Sequence, residues 1–152
     1  MAERRRTTDS LEARRKTGSN EVLDRLFVYA TLRDGQTARS LIANQIARCV
    51  EASTTGAIYA FPVGYAGFVE APPPRRVIGE VLWLTDLAAT FGLLDAYEGE
   101  DFARVIRQVE LSTGEPVWTW IYVLADPDTA KHGTLIEHGD WARYGREQDA
   151  RS

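Results

Sequence analysis

The sequence predicts an α+β protein built on a mixed, mainly antiparallel, barrel-like sheet with a few short helices. Three observations carry this. Runs rich in β-branched and aromatic residues outnumber runs with helical periodicity. The clearest helical pattern, "TDLAATFGLLDAYEG", lies between two strand-like runs. The link "STGE" joins two long strand patterns as a hairpin connection would.

Taken in chain order, residues 1–22 are polar, charged and poor in large apolar side chains, so a flexible basic arm is expected. "RLFVYATL" alternates Leu26, Val28 and Ala30 with Phe27, Tyr29 and Thr31. Apolar residues on both sides of the alternation predict a strand buried on both faces. "RDGQ" reads as a turn, and "TARSLIANQI" as a short helix. "ARCVEASTTGAIYAF" predicts strands broken at Gly56, and "RVIGEVLWL" predicts another. The intervening "PVGYAGFVEAPPP" is rich in Gly and Pro and reads as irregular.

In "TDLAATFGLLDAYEG", Thr85 or Asp86 can cap the start, and Leu87, Phe91 and Leu94 share a face. Gly99 is placed to end the helix. "ARVIRQVEL" and "PVWTWIYVL" are the hairpin strands. "LIEHGDWARYGREQ" reads as a short helix or loop packed by Trp141 and Tyr144. The expected organisation is an arm over residues 1–22, one domain over 23–145 and a polar tail over 146–152. A chain of 152 residues suits one such core.

Composition excludes several functions. Net charge is −4, with six bases and three acids in residues 1–20, which leaves −7 on the remainder. An acidic body argues against a broad nucleic-acid face. One cysteine, Cys49, rules out an internal disulfide and is expected as an inert, half-buried strand thiol. No apolar run approaches a membrane span, and "MAERRRTTDSLEARRK" lacks the apolar segment of a secretory leader, so a cytoplasmic location is expected. His132 and His138 sit in a Gly-containing loop without ligand spacing and read as surface residues. No phosphate loop, dinucleotide fingerprint or serine elbow is present.

Two places retain chemical potential. In "LLDAYEGEDFARV", Asp95, Glu98, Glu100 and Asp101 crowd together. Glu98 follows Leu94 by four residues and Phe91 by seven, so helical phase turns it inward. Burial, the helix C-terminus and neighbouring acids would all raise its pKa toward the range useful for proton transfer. A helix unwinding at Tyr97 would instead leave it solvated. In "VYATLRDGQ", a buried strand enters a turn whose consecutive amides can face an anion, with Thr31 adding a hydroxyl and Arg33 a cation. An ordinary strand-to-helix connection is the alternative.

These residues together resemble the γ-glutamylcyclotransferase-like proteins, including the AIG2-like and γ-glutamylamine cyclotransferase branch. "FVYATL" resembles that family's F-x-Y-G-S/T-L start. About 65 residues on, "LDAYEGEDFAR" resembles its helix ending in Glu-Gly before an aromatic residue and Arg. "GAIYAFPVGYAGFVEAP", "IGEVLWL" and "LIEHGDW" resemble further family segments, over residues 26–141 in all. Ala30 replaces the family glycine, Phe102 a common tyrosine, Ala66 a common proline and Leu82 a common tyrosine. At position 30 a positive φ would oppose alanine, whereas a negative φ would accept it.

The resemblance implies a γ-glutamylcyclotransferase-like barrel with its ligand at the mouth. It implies ring closure of a small-molecule γ-glutamyl amine or amino acid to 5-oxoproline, releasing the free amine, without metal or organic cofactor. Glu98 would be general base and acid. The amides around Ala30 to Leu32 would bind a substrate oxygen, and Tyr29 and Thr31 would line the pocket. The loop "PVGYAGFVEAPPPRR" would set substrate choice. The competing expectation is a non-catalytic ligand-binding or interaction domain on the same fold, which Ala30 and Phe102 favour. A third is recruitment of an acidic partner by the basic arm. Oligomeric state is left open.

Overall fold

The computed structural model describes residues 2–19 and 22–151. Those parts of the expected arm and tail at residues 1, 20, 21 and 152 lie outside the described residues.

The sheet closes on itself. Strands β1 (Arg25–Val28), β2 (Ile46–Thr55), β5 (Arg76–Leu84), β6 (Phe102–Leu111) and β7 (Pro116–Leu124) form a barrel in the order β1-β5-β2-β6-β7. Five strands cannot alternate direction all the way round a ring. One neighbouring pair must be parallel, and it is β1 with β7, through Leu26 opposite Trp120. The other pairs are antiparallel, so the α+β, mainly antiparallel barrel-like class expected from the sequence is the observed one. A second sheet, β4-β3-β8, is formed by β3 (Ala57–Phe61), β4 (Tyr65–Val69) and β8 (Thr134–Leu135).

β1 shows why its alternation reads as doubly buried. Leu26 and Val28 enter a cluster with Leu82, Leu94 and Trp120. Phe27 enters another with Ile58, Phe68, Val81 and Ile121. The regular strand is shorter than the pattern suggests. It stops at Val28, its last register partner being Glu80, and the chain turns through residues 29–38.

Four further expectations are corrected. The Gly/Pro-rich link is not wholly irregular, because Tyr65–Val69 is strand β4, antiparallel to β3. Gly64, at φ 93°, makes the reversal, and its N–H donates to the Phe61 carbonyl at 3.0 Å. The expected helix in "TARSLIANQI" is two 3-10 turns, Arg39–Leu41 and Ala43–Gln45, either side of a fully buried Ile42. Ser, Asn and β-branched Ile are weak helix formers, and the core claims Ile42. Cys49 is exposed rather than half-buried.

The fourth concerns the ends. Where composition argues for a flexible arm, Ala2–Thr17 form helix α1, with Ala13 buried beside the barrel cluster. At the other end, the short helix or loop expected in "LIEHGDWARYGREQ" is helix α3, Trp141–Arg151, which runs on into residues 146–151 of the expected polar tail. Asp140 accepts the Ala142 and Arg143 amides at 3.1 and 3.3 Å, and Trp141 and Tyr144 stack at 6.0 Å. Both helices gain order from tertiary contacts that composition does not record.

Helix α2 (Leu87–Glu98) follows the sequence pattern. Asp86 caps it by accepting the Ala89 amide at 3.0 Å, and Phe91 and Leu94 are buried. Among the described residues, no helix is long and apolar enough to cross a membrane.

β5 can approach β1 closely because position 79 is glycine. A Cβ there would strike the Val28 carbonyl and the Phe27 ring. The carbonyl is backbone and cannot swing away. Gly79→Ala is therefore expected to destabilise the fold by roughly 1–3 kcal/mol, read as a lowered denaturation midpoint. An unchanged midpoint would contradict this packing.

Candidate active site

The barrel's mouth holds a cavity of about 280 Å³. The turn leaving β1 supplies Tyr29, Ala30, Thr31 and Leu32 to its lining, and the end of α2 supplies Tyr97 and Glu98. Asp101, Phe102, Tyr65, Ala66 and Tyr122 also line it. The two places singled out in the sequence, 66 residues apart at Thr31 and Tyr97, thus share one cavity, and the two side chains meet at 3.3 Å.

Glu98 is the last residue of α2. The helix does not unwind at Tyr97. It ends at Gly99, whose φ is 71° and whose N–H donates to the Asp95 carbonyl. Burial pushes the Glu98 carboxyl up from 4.5 to about 7. The charged form loses hydration there, and desolvation alone accounts for the shift.

The β1 turn is held from behind. The buried Glu80 carboxylate accepts the Asp34 amide at 3.0 Å and Arg39 Nη1 at 2.8 Å. Arg39 also donates to the Leu32 carbonyl at 3.2 Å. The Ala38 amide donates to the Thr31 carbonyl at 2.8 Å, and the Arg33 amide to the Ala30 carbonyl at 3.1 Å. The amides of Ala30, Thr31 and Leu32 themselves take no acceptor among the described residues. Ala30 accepts its position without strain, since every described residue with positive φ is glycine. Ala30 lines the cavity, at the position where the resemblance drawn from the sequence expects glycine.

Arg33 is corrected. It does not line the cavity but is buried, with Nη1 donating to Asp140 at 2.8 Å. The acidic corner divides by contact. Glu100 is exposed, and Asp101 is exposed at the cavity rim. Asp95 is largely buried, its side chain 12% exposed, and binds Arg104 and Tyr122. Phe102 packs edge-on to Tyr65 at 6.1 Å between ring centres.

Sequence reasoning missed Tyr122, Tyr65 and Tyr97 as lining residues. Tyr122 was detectable in part. Alternation along β7 places it with Trp118 and Trp120, and it pairs across the hairpin with Arg104 of the "DFAR" motif.

The closed barrel thus brings Glu98 and the Ala30–Leu32 turn to the lining of one cavity. A family model described as γ-glutamyl cyclotransferase, AIG2-like, matches residues 26–143, and the chain belongs to that family. Solved structures share the fold. YkqA from Bacillus subtilis aligns with a TM-score of 0.67 at 22% identity, over 85% of this chain and 43% of its own length. An AIG2-like protein (GGACT) from Mus musculus aligns at 0.61 and 20% identity, over 80% of this chain and 89% of its own. The uropathogenic E. coli-specific protein c4763 aligns at 0.62 and 18% identity, over 82% and 97%. This chain thus spans less than half of the Bacillus protein. No curated protein sequence matches it.

The raised Glu98 pKa has a consequence for stability. Below pH 4.5 the carboxyl is protonated in both folded and unfolded chains. Between pH 4.5 and about 7 the folded protein keeps a proton that the unfolded chain releases, so stability falls as pH rises through this window. Glu98→Gln cannot titrate. Its stability relative to the wild type should climb from pH 4.5 to above 7, by at most about 3 kcal/mol. Denaturant titrations at several pH values measure this; a constant difference would mean the carboxyl is not desolvated.

Proposed function

We propose that the protein is a γ-glutamyl cyclotransferase-type enzyme. It would convert a γ-glutamyl amine or γ-glutamyl amino acid to 5-oxoproline and the free amine. The observation that carries this reading is the shared cavity, with Glu98 and the Ala30–Leu32 turn among its lining residues. Membership of the γ-glutamyl cyclotransferase, AIG2-like family supports it.

The substrate contains its own nucleophile. Its α-amino nitrogen attacks its γ-carbonyl carbon, forming the ring C–N bond. The γ-amide C–N bond then breaks. Holding the folded conformer can contribute several kcal/mol, up to roughly 7–11 in ideal cases. The α-amino group has a pKa of about 8 and must lose a proton before attack. Glu98, at about 7, takes that proton before attack, passes it to the departing nitrogen, and then hands on the second proton that the ring nitrogen must lose, so that the amine leaves as its ammonium. The proton count closes with no external acid or base.

The amides of Ala30, Thr31 and Leu32 would donate to the substrate α-carboxylate or to the oxygen that gains charge in the tetrahedral intermediate. Tyr29 and Thr31 would shape the pocket around the glutamyl chain. The Ala30 methyl favours a second reading, in which the cavity binds a ligand without turning it over.

The same experiment decides between them. Incubation with γ-glutamyl amines, γ-glutamyl amino acids, ε-(γ-glutamyl)lysine and glutathione should release 5-oxoproline from at least one. Glu98→Gln should lose nearly all of this activity. In the wild type the rate should rise with pH through about 7, as Glu98 becomes the carboxylate. Full activity in Glu98→Gln would overturn the base assignment, and silence across the panel would favour the binding reading.

A further inference from the structure

The Tyr122 phenol has one proton, and its destination is visible. Oη donates to Asp95 Oδ1 at 2.6 Å. Arg104 holds Asp95 as a carboxylate, with Nε and Nη2 each donating to one of its oxygens at 3.1 Å. The guanidinium is itself fixed. Its carbon lies 3.7 Å from the Phe91 ring centre and 4.9 Å from that of Trp120. Nη1 lies 3.1 Å from Asp9 Oδ2 of α1, an ion pair without hydrogen-bond alignment.

A phenol facing a fixed carboxylate keeps its O–H on that carboxylate. Burial, then the Asp95 contact, push the Tyr122 pKa far up, so the proton stays. Toward the cavity this leaves Tyr122 only oxygen lone pairs to offer. Tyr29 has a similar arrangement, since its Oη donates to the Tyr122 carbonyl at 2.7 Å. The Glu98 charge acts on both phenols. No Lys, Arg or His lines the cavity among the described residues. The two phenols on which the Glu98 charge acts therefore have only lone pairs left to offer, and the amides of the β1 turn are free to donate.

We propose that Tyr122 Oη accepts a hydrogen bond from the substrate's α-amino group beside Glu98, and that Asp95 positions Tyr122 for this by holding the phenolic proton. The inference rests on the cyclotransferase reading above. An ammonium has three N–H donors. Once Glu98 has removed one proton, two remain, and a bond from one of them to Tyr122 turns the freed lone pair toward the γ-carbonyl. A phenol presenting its proton instead would cap that lone pair and block attack. Asp95 touches no substrate and acts only through Tyr122.

The test compares two compounds that differ in the α-amino group. One is whichever γ-glutamyl amide the wild type cyclises, followed as kcat/KM. The other is its desamino counterpart, a glutaric acid monoamide, which lacks the nucleophile and is read as a competitive inhibition constant. Tyr122→Phe removes one oxygen and leaves Asp95 on Arg104. Asp95→Asn removes the charge that holds the phenolic proton. In both variants kcat/KM should fall about tenfold or more, the scale of one hydrogen bond to a charged group. The inhibition constant should stay within about twofold, because a ligand without the amino group does not use the contact. A merely structural role would weaken both together. Equal loss in the two readouts, or no loss in either, would overturn the proposal and leave the cyclotransferase reading standing. A wild type that forms no 5-oxoproline from any compound would remove that reading and this inference with it.

Discussion

The cavity depends on the parallel seam between β1 and β7, where Leu26 meets Trp120. An odd number of strands forces such a seam on the closed barrel. It lays the end of β1 beside β7, the strand that carries Tyr122. β6 pairs with β7 on the other side and receives the chain from α2 through the single 3-10 turn Gly99–Asp101. The β1 turn, the helix end and the Tyr122 phenol therefore reach one mouth because the ring closes. An open sheet of the same strands would leave β1 and β7 as separate edges.

Arg104 is the second fixed point, and it is tied to the first. It stacks on Trp120, the seam residue, and on Phe91 of α2. A buried guanidinium is tolerable only with its charge answered and its donors used. Asp95 does most of this from the helix that ends in Glu98. One ion pair thus locks α2 to the hairpin one turn from the candidate base. Asp9 brings α1 to the same cation, which explains why a segment of such polar composition packs at all.

The fold was legible where local pattern and tertiary demand agree. "RVIGEVLWL" corresponds to β5, and the Asp86 cap and Gly99 stop bracket α2. It was illegible where distant contacts override composition. Gly and Pro around Tyr65–Val69 hid a strand whose register is supplied by β3. Helix α1 shows no strong apolar stripe and is ordered by Ala13 on the barrel, whereas α3 is ordered by Trp141 and Tyr144 against the core and by Asp140 as cap. Of the candidate site, helical phase alone turned Glu98 inward, and the run at Tyr29 to Leu32 stood out as a buried strand entering a turn. Arg33 shows the limit. A cation beside that turn has no reason in sequence to avoid the pocket, and only Asp140, 107 residues away, draws it off.

The sequence by itself determined that there is an α2 with an inward acid at its end, a doubly buried first strand and a hairpin of β6 and β7. Periodicity and turn chemistry are local properties, written in consecutive residues. The tertiary structure alone decided that Glu98, the Ala30–Leu32 turn and Tyr122 line one cavity. It also decided that the Glu98 carboxyl is dehydrated enough to hold its proton to about 7. Both follow from barrel closure, because desolvation and juxtaposition depend on what lies across a cavity rather than on what lies next in the chain.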